Sequence, residues 1–225
     1  MPSSRGSTKS PHSENFHFLG TFLHKRAAVV HHAGVQKLSF EQQVQALAVQ
    51  LGRPGVDVLA GLFDLTSQRL VRMAVAITRS QYDAEDAVQT TLERVARQPA
   101  PLRKADRPWP YLLRMVRNDA LQIRRRKKRW LGSHSITDLV TRRRVDELEQ
   151  EDTHRAVWQA IRTLPAEQAE VIVLKIWEEM TFGEIADVLD ASPNTVASRY
   201  QYGLGKLAGK LQKTAEEALE EGGRR

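Results

Sequence analysis

The sequence predicts an all-α chain: two small helical domains joined by a flexible linker, the second with a helix-turn-helix. Three observations carry this expectation. Apolar residues recur at helical spacing over most of the chain, and no stretch alternates as a half-buried strand would. Two helix-start signatures follow one another closely, Thr181 with Glu184 and then Ser192 with Pro193. The 225 residues are 41% hydrophobic but only 6% aromatic, which suits one or two modest helical cores better than a large sheet.

Taken in order, residues 1–52 form an N-terminal extension expected to be largely disordered, since Ser, His, Gly and Lys dominate its first part without a sustained period. Within it, Phe40, Val44, Leu47 and Leu51 space out a short amphipathic helix over 38–51, broken by Gly52-Arg53-Pro54-Gly55. The first helical domain is placed at 53–130. Leu59, Leu62, Phe63, Leu65, Leu70, Met73, Ala74 and Ile77 supply a helical apolar face that ends near Thr78-Arg79-Ser80. A second helix starts at Asp83, which can cap it, and carries Val88, Leu92 and Val95. Pro99, Pro101, Pro108 and Pro110 then predict an extended or turning loop, because proline lacks a donor and restricts its predecessor. A long helix follows from Tyr111, with Leu112, Met115, Val116 and Ile123 inward and Arg114, Arg117 and Arg124 outward.

Residues 131–150 form the linker, passing from Gly132-Ser133-His134-Ser135 through three arginines to a run of acids. The second domain is placed at 151–213. One helix holds Ala156, Val157, Trp158 and Ile161 and stops at Leu164-Pro165, and the next runs through Val171, Ile172, Leu174 and Ile176. Thr181 and Glu184 then form a capping box for a helix whose Ile185, Val188 and Leu189 share a face. Asp190 and Ala191 make the turn, Ser192 caps the next helix, and Pro193 sits where its missing N–H costs nothing. Val196 and Tyr200 close over the preceding helix. In such a motif the start of the second helix enters a DNA major groove, offering Asn194, Thr195, Ser198 and Arg199. Residues 214–225 are an acidic tail ending in Gly and Arg, expected to fray.

Charge sharpens the functional reading. Arg103 to Arg129 holds eleven Lys or Arg against Asp106 and Asp119, a net +9 that exceeds the +7 of the whole chain. Such a concentration marks a surface for phosphates, with the run Arg124 to Arg129 as its densest part. Trp109 and Tyr111 lie among Arg107, Arg114 and Arg117, with Asn118 nearby as a hydrogen-bonding group. Flat rings accept any unstacked base while cations hold the backbone, so this combination suits a separated DNA strand. The chain has no Cys, which excludes disulfides and thiolate metal sites. His31 and His32 are adjacent but lack the spacing of a metal site, and neither a metal nor a cofactor is expected. No apolar run approaches membrane-spanning length, so no membrane partner is expected and the location is read as cytoplasmic.

With both domains placed, the chain resembles the bacterial sigma-70 family of RNA polymerase sigma factors, in its small extracytoplasmic-function (ECF) group, over roughly residues 56 to 212. The carriers are Asp83-Ala84-Glu85-Asp86-Ala87-Val88-Gln89, Tyr111-Leu112-Leu113-Arg114-Met115-Val116-Arg117-Asn118, and Leu164-Pro165 through Ser198-Arg199, in that order and with a basic tract and tether between. The resemblance implies core RNA polymerase and promoter DNA, both duplex and locally melted, as partners, and it admits an anti-sigma factor. It assigns polymerase binding to Asp83, Glu85, Asp86 and Gln89. It gives promoter melting to Arg107, Trp109, Tyr111, Arg114, Arg117, Asn118, Arg124 and Arg125, and upstream-element contacts to Pro193, Asn194, Thr195, Ser198 and Arg199. The chain departs from the family pattern at Ala197, where a Lys is usual, at Tyr111, where a Trp is usual, and in lacking further arginines after Arg199.

No catalytic residue is expected, because nucleotide chemistry belongs to the polymerase. The main alternative is a stand-alone helix-turn-helix regulator, which would bind an operator without polymerase. A nuclease using Asp83, Glu85 and Asp86 to hold magnesium lacks a third acid on that face and a general base. A helical scaffold would leave the aromatic and cationic surface without a use.

Overall fold

A computed structural model describes residues 38–53, 58–130 and 152–222, the side chains of 152–156 and 214–222 apart. The first 37 residues, with their histidines, and the linker lie outside the described residues. The described residues are helix or short turn, with no strand among them.

Helix α1, Phe40–Gln50, opens with a complete capping box. Ser39 Oγ accepts from the Gln42 N–H, and Gln42 Oε1 accepts from the Ser39 N–H at 2.8 Å. Val44 and Ala48 on its inner face, with Leu51 just after it, are buried against α2, Val58–Thr78. The amphipathic helix expected over 38–51 is therefore present, and it packs as part of the first helical group.

Helix α2 buries Leu62, Leu70, Met73 and Ile77. Full burial of side chains of this size contributes about 1.5–3 kcal/mol each. Phe63 is the exception on that face: it points to solvent at 49% exposure. Helix α3, Gln81–Arg97, begins two residues earlier than expected because Ser80, not Asp83, is its N-cap, accepting from the Asp83 N–H. The proline-rich segment is also more helical than expected. Ala100–Arg103 forms a single turn, α4, and helix α5 runs Pro108–Trp130. Both Pro108 and Pro110 fall in the first turn of α5, where helical N–H groups have no partner to lose. Leu112, Leu113, Val116 and Ile123 face inward, while Met115 is only half-buried.

A buried polar clamp fixes α5 to α3. Asp119 accepts from Thr91 Oγ1 at 2.7 Å and from Arg94 Nη2 at 2.8 Å, so its buried carboxylate is paired on both oxygens.

The second group comprises α6, Asp152–Arg162; α7, Ala166–Ile176; α8, Phe182–Leu189; and α9, Pro193–Gly222. Ile161, Leu164, Ile172, Leu174, Ile185, Val188, Val196 and Leu207 build its core. Gly203 lets α9 cross α7 closely: a Cβ there would stand 2.8 Å from Ile172 Cδ1. Helix α9 continues to Gly222, so most of the stretch read as a fraying tail is helical.

The two groups do not stand apart. Helix α2 packs along α7, and α5 packs against α8.

Candidate nucleic-acid interface

The helix-turn-helix is built as its caps dictate. Thr181 Oγ1 accepts from the Glu184 N–H at 3.3 Å, and Glu184 Oε2 accepts from the Thr181 N–H at 2.8 Å. That return bond, together with Arg107, holds the Glu184 carboxyl below its ordinary value. Asp190 ends α8 in the left-handed conformation, φ 53° and ψ 56°, which a short polar side chain tolerates. Ser192 Oγ then accepts from the Thr195 N–H at 3.1 Å to start α9. Tyr200 stacks on Phe182 with ring centroids 5.5 Å apart, and burial pushes its hydroxyl pKa up. Pro193, Asn194, Thr195 and Ser198 are exposed on the first turns of α9, and Arg199 is half-buried. Ser198 Oγ donates to the Asn194 carbonyl at 2.9 Å, which turns that hydroxyl along the helix.

Residues of the Asp83 to Gln89 segment divide by exposure. Glu85, Asp86 and Gln89 are exposed on α3, where Glu85 accepts from Gln81 Nε2 and Gln89 Nε2 donates to Glu93. Asp83 is only 4% exposed, and its Oδ2 accepts from Lys127 Nζ at 2.6 Å. Lys127 thereby ties the basic end of α5 to the start of α3. Among the described residues no group of three His, Cys, Asp or Glu could hold a metal ion.

On α5 the cations have unequal fates. Arg124, Arg125 and the rest of the basic run to Arg129 are exposed, and Trp130 beyond them is 91% exposed. Asn118 is exposed and Tyr111 half-buried. Trp109 does not present an open ring: it is 2% exposed, edge-on to Phe40 of α1 with centroids 4.8 Å apart. Arg69 lies over the other partner, 3.9 Å from the Phe40 ring centre.

The remaining arginines reach across to the second helical group. Arg107 Nη2 donates to Glu184 Oε1 at 2.6 Å while also meeting Glu41 of α1 at 3.3 Å. These acids raise the Arg107 pKa, the hydrogen bond to Glu184 first among the causes. Arg114 Nη2 donates to the Asp187 carbonyl at 2.5 Å. Arg117 grips Glu170 through Nε at 2.9 Å and Nη2 at 3.3 Å, and Glu170 is 2% exposed.

A further acid enters from the turn after α7, where Glu179 adopts a positive φ of 56°. Its neighbour Glu178 has a fully buried side chain that accepts from Arg69 at 3.0 Å, with Arg72 at 3.7 Å. Burial pushes the Glu178 carboxyl above its ordinary value, and Arg69 and Arg72 partly offset it. At the far edge of the seam, Arg79 Nη2 donates to the Leu164 carbonyl at 2.8 Å, and Arg162 Nη2 donates to the Arg79 carbonyl at 3.0 Å.

Sequence reasoning did not single out Glu170, Glu178, Arg69 or Arg72. A signal existed for Glu170, a lone acid beside the buried run Val171 to Leu174, where a charge requires a partner. Glu184 was legible only as a cap.

Comparison with known proteins agrees with this layout. The model of a family described as Sigma-70 region 2 matches residues 62–130, and that of Sigma-70, region 4 matches residues 154–207. The RNA polymerase sigma-E factor of Streptomyces antibioticus is 30% identical over 146 residues, covering 64% of this chain and 78% of its own. The RNA polymerase sigma factor SigV of Bacillus subtilis (strain 168) is 24% identical over 152 residues, covering 67% and 87%. Two solved structures share the fold. RpoE from Bartonella quintana, in complex with the anti-sigma factor NepR, has a TM-score of 0.55 at 20% identity, covering 70% of this chain and 98% of that one. CnrH, in complex with the cytosolic domain of CnrY, has a TM-score of 0.54 at 20% identity, covering 78% and 99%.

Proposed function

The chain belongs to the sigma-70 family of RNA polymerase sigma factors, in its extracytoplasmic-function group, which directs core polymerase to promoters, and we propose that it divides promoter reading between its two helical domains. The first turns of α9 read the upstream promoter element through Pro193, Asn194, Thr195, Ser198 and Arg199, as the recognition helix of a helix-turn-helix does. Helix α5 holds the melted strand: Arg107, Arg114, Arg117, Arg124 and Arg125 bind phosphates, Asn118 hydrogen-bonds a base, and Tyr111 and Trp109 supply ring faces once exposed. Glu85, Asp86 and Gln89 form the exposed docking face for core polymerase, and Asp83 supports it by fixing α3 to α5.

One observation carries this reading: a single chain holds an exposed recognition-helix start and a helix with an exposed cationic end, each inside its matching family segment. Joining two weak DNA contacts on one polymerase raises the effective concentration of the second, so neither domain needs high affinity alone. The factor contributes no bond-making step. Among the described residues no helix is long and apolar enough to cross a membrane, and we place the factor with its polymerase in the cytoplasm. The solved relatives bound to NepR and CnrY support an anti-sigma factor as a further partner.

Purified chain added to core polymerase should give promoter-dependent runoff transcripts on genomic templates and should co-purify with core. A chain that binds duplex DNA alone, fails to associate with core and starts no transcripts would instead be the stand-alone regulator.

A further inference from the structure

We propose that the second domain carries a built-in competitor for nucleic acid: Glu170 and Glu184 occupy cations of α5 that a DNA strand would use, with Glu178 anchoring the same seam on Arg69 of α2, making domain docking and strand binding mutually exclusive. The proposal rests on reading α5 as the strand-binding face.

Three acids from separate places converge on one cationic face. Glu170 comes from the middle of α7, Glu178 from the turn after it and Glu184 from the first turn of α8. Each meets arginine at 2.6–3.0 Å: Arg117, Arg69 and Arg107 respectively. Arginine forks bind carboxylate and phosphate with the same geometry, so an acid can fill a phosphate's place without rearranging the guanidinium. Trp109 lies in the same seam beside Glu178, 2% exposed and edge-on to Phe40 of α1.

The occupation is selective. Arg107, Arg114 and Arg117 are engaged by the second domain, whereas Arg124, Arg125 and Arg126 further along α5 are exposed. A strand can therefore be captured first by the open basic end and then displace the acids toward Arg107. A closed state lowers apparent strand affinity by the fraction of molecules that are open, so weakening the acids should raise affinity by the same factor.

The test uses the full chain. It has no native Cys, so Ala96→Cys on α3 and Gln201→Cys on α9, both exposed, give a unique pair for distance labels. The distance is read with and without a short fluorescein-labelled single-stranded DNA, whose anisotropy gives affinity. The variant pair E170Q with E184Q removes two charges but keeps side-chain size, and Gln at 184 can still close the capping box. Expected are a short distance in the parent, widening on DNA addition, and a wide distance without DNA in the variant, with roughly five- to tenfold tighter strand binding.

A variant that opens but binds DNA no more tightly overturns the competition. So does a parent that binds the strand with its label distance unchanged. An opened variant that binds no strand at low salt would overturn the strand-face reading itself. Should the pair unfold the second domain by circular dichroism, E184Q alone carries the test with a roughly twofold expected gain.

Discussion

Arg117 and Glu170 form the most enclosed ion pair between the two helical groups, Nε and Nη2 of one lying 2.9 and 3.3 Å from the two carboxylate oxygens of the other. Their side chains are 16% and 2% exposed, so water screens the pair little. Arg117→Ala would strand a carboxylate in a dry seam and should cost about 3–5 kcal/mol of docking or folding stability. Glu170→Gln keeps an acceptor and should cost less. Denaturant unfolding of both single variants and the double variant measures the coupling, and additive effects would show that the two residues do not act as a pair.

Glu178 should make docking pH-dependent. Its carboxyl is raised above its ordinary value of 4.5, so the docked state binds its proton more tightly than the open state does. That contribution is full below the ordinary value and is lost as pH rises through the raised one. Glu184 acts in the opposite sense and only through Arg107: the first cause of its lowering is the Thr181 cap, which docking does not change, and the Arg107 share is present above 4.5 and lost as pH falls through the lowered value. The groups facing Glu178 are Arg69 and Arg72. Interdomain distance followed from strongly acidic to neutral pH should lose the Glu178 component above 4.5 in Glu178→Gln and keep the Glu184 one below it.

Asp83 and Asp86 are neighbours on one helix with different predicted consequences. Asp83→Ala removes the buried partner of Lys127 and should lower thermal stability, by about 1–3 kcal/mol. Asp86→Ala changes an exposed side chain and should leave the unfolding free energy within about 0.5 kcal/mol of the parent while weakening co-purification with core polymerase. Equal retention of polymerase by Asp86→Ala and parent would remove that residue from the docking face.

The glycines of α9 separate packing from propensity. A Cβ at Gly205 or Gly209 meets nothing within 4 Å, so Gly205→Ala should stabilise the helix by up to about 1 kcal/mol. At Gly203 a Cβ would stand 2.8 Å from Ile172 Cδ1 and 3.3 Å from Gln168 Cβ. Gly203→Val should therefore destabilise by about 1–3 kcal/mol through overpacking against α7. Thermal melts of the two variants moving in the same direction would contradict the crossing described between α7 and α9.

What was legible in the sequence was local. Thr181 with Glu184 and Ser192 with Pro193 fix two helix starts by bonds that span three residues, and both form as their types require. The α1 helix was visible in the spacing of Phe40, Val44, Leu47 and Leu51, whereas its Ser39 and Gln42 cap was not read. Proline was misjudged in the segment from Pro99 to Pro110 because its cost depends on helix position, and Pro108 and Pro110 fall in the one turn that tolerates it. Phe63 carries the right spacing for a core face yet stays exposed, since period alone does not say how wide the buried stripe is. Trp109 could be placed among cations, but its partner Phe40 is distant in sequence and no local pattern joins them. The same holds for the acids that meet Arg107 and Arg117, whose positions depend on how two independently spaced domains come to rest.

Arg107 is shared between Glu41 near the start of α1 and Glu184 at the start of α8, so one guanidinium bridges the earliest described helix and the helix-turn-helix. The first described helix is thereby wired to the second helical group. A protein that seized α1 and withdrew Glu41 would leave Arg107 a single acid to hold, shifting the balance at a point far from where that protein touched.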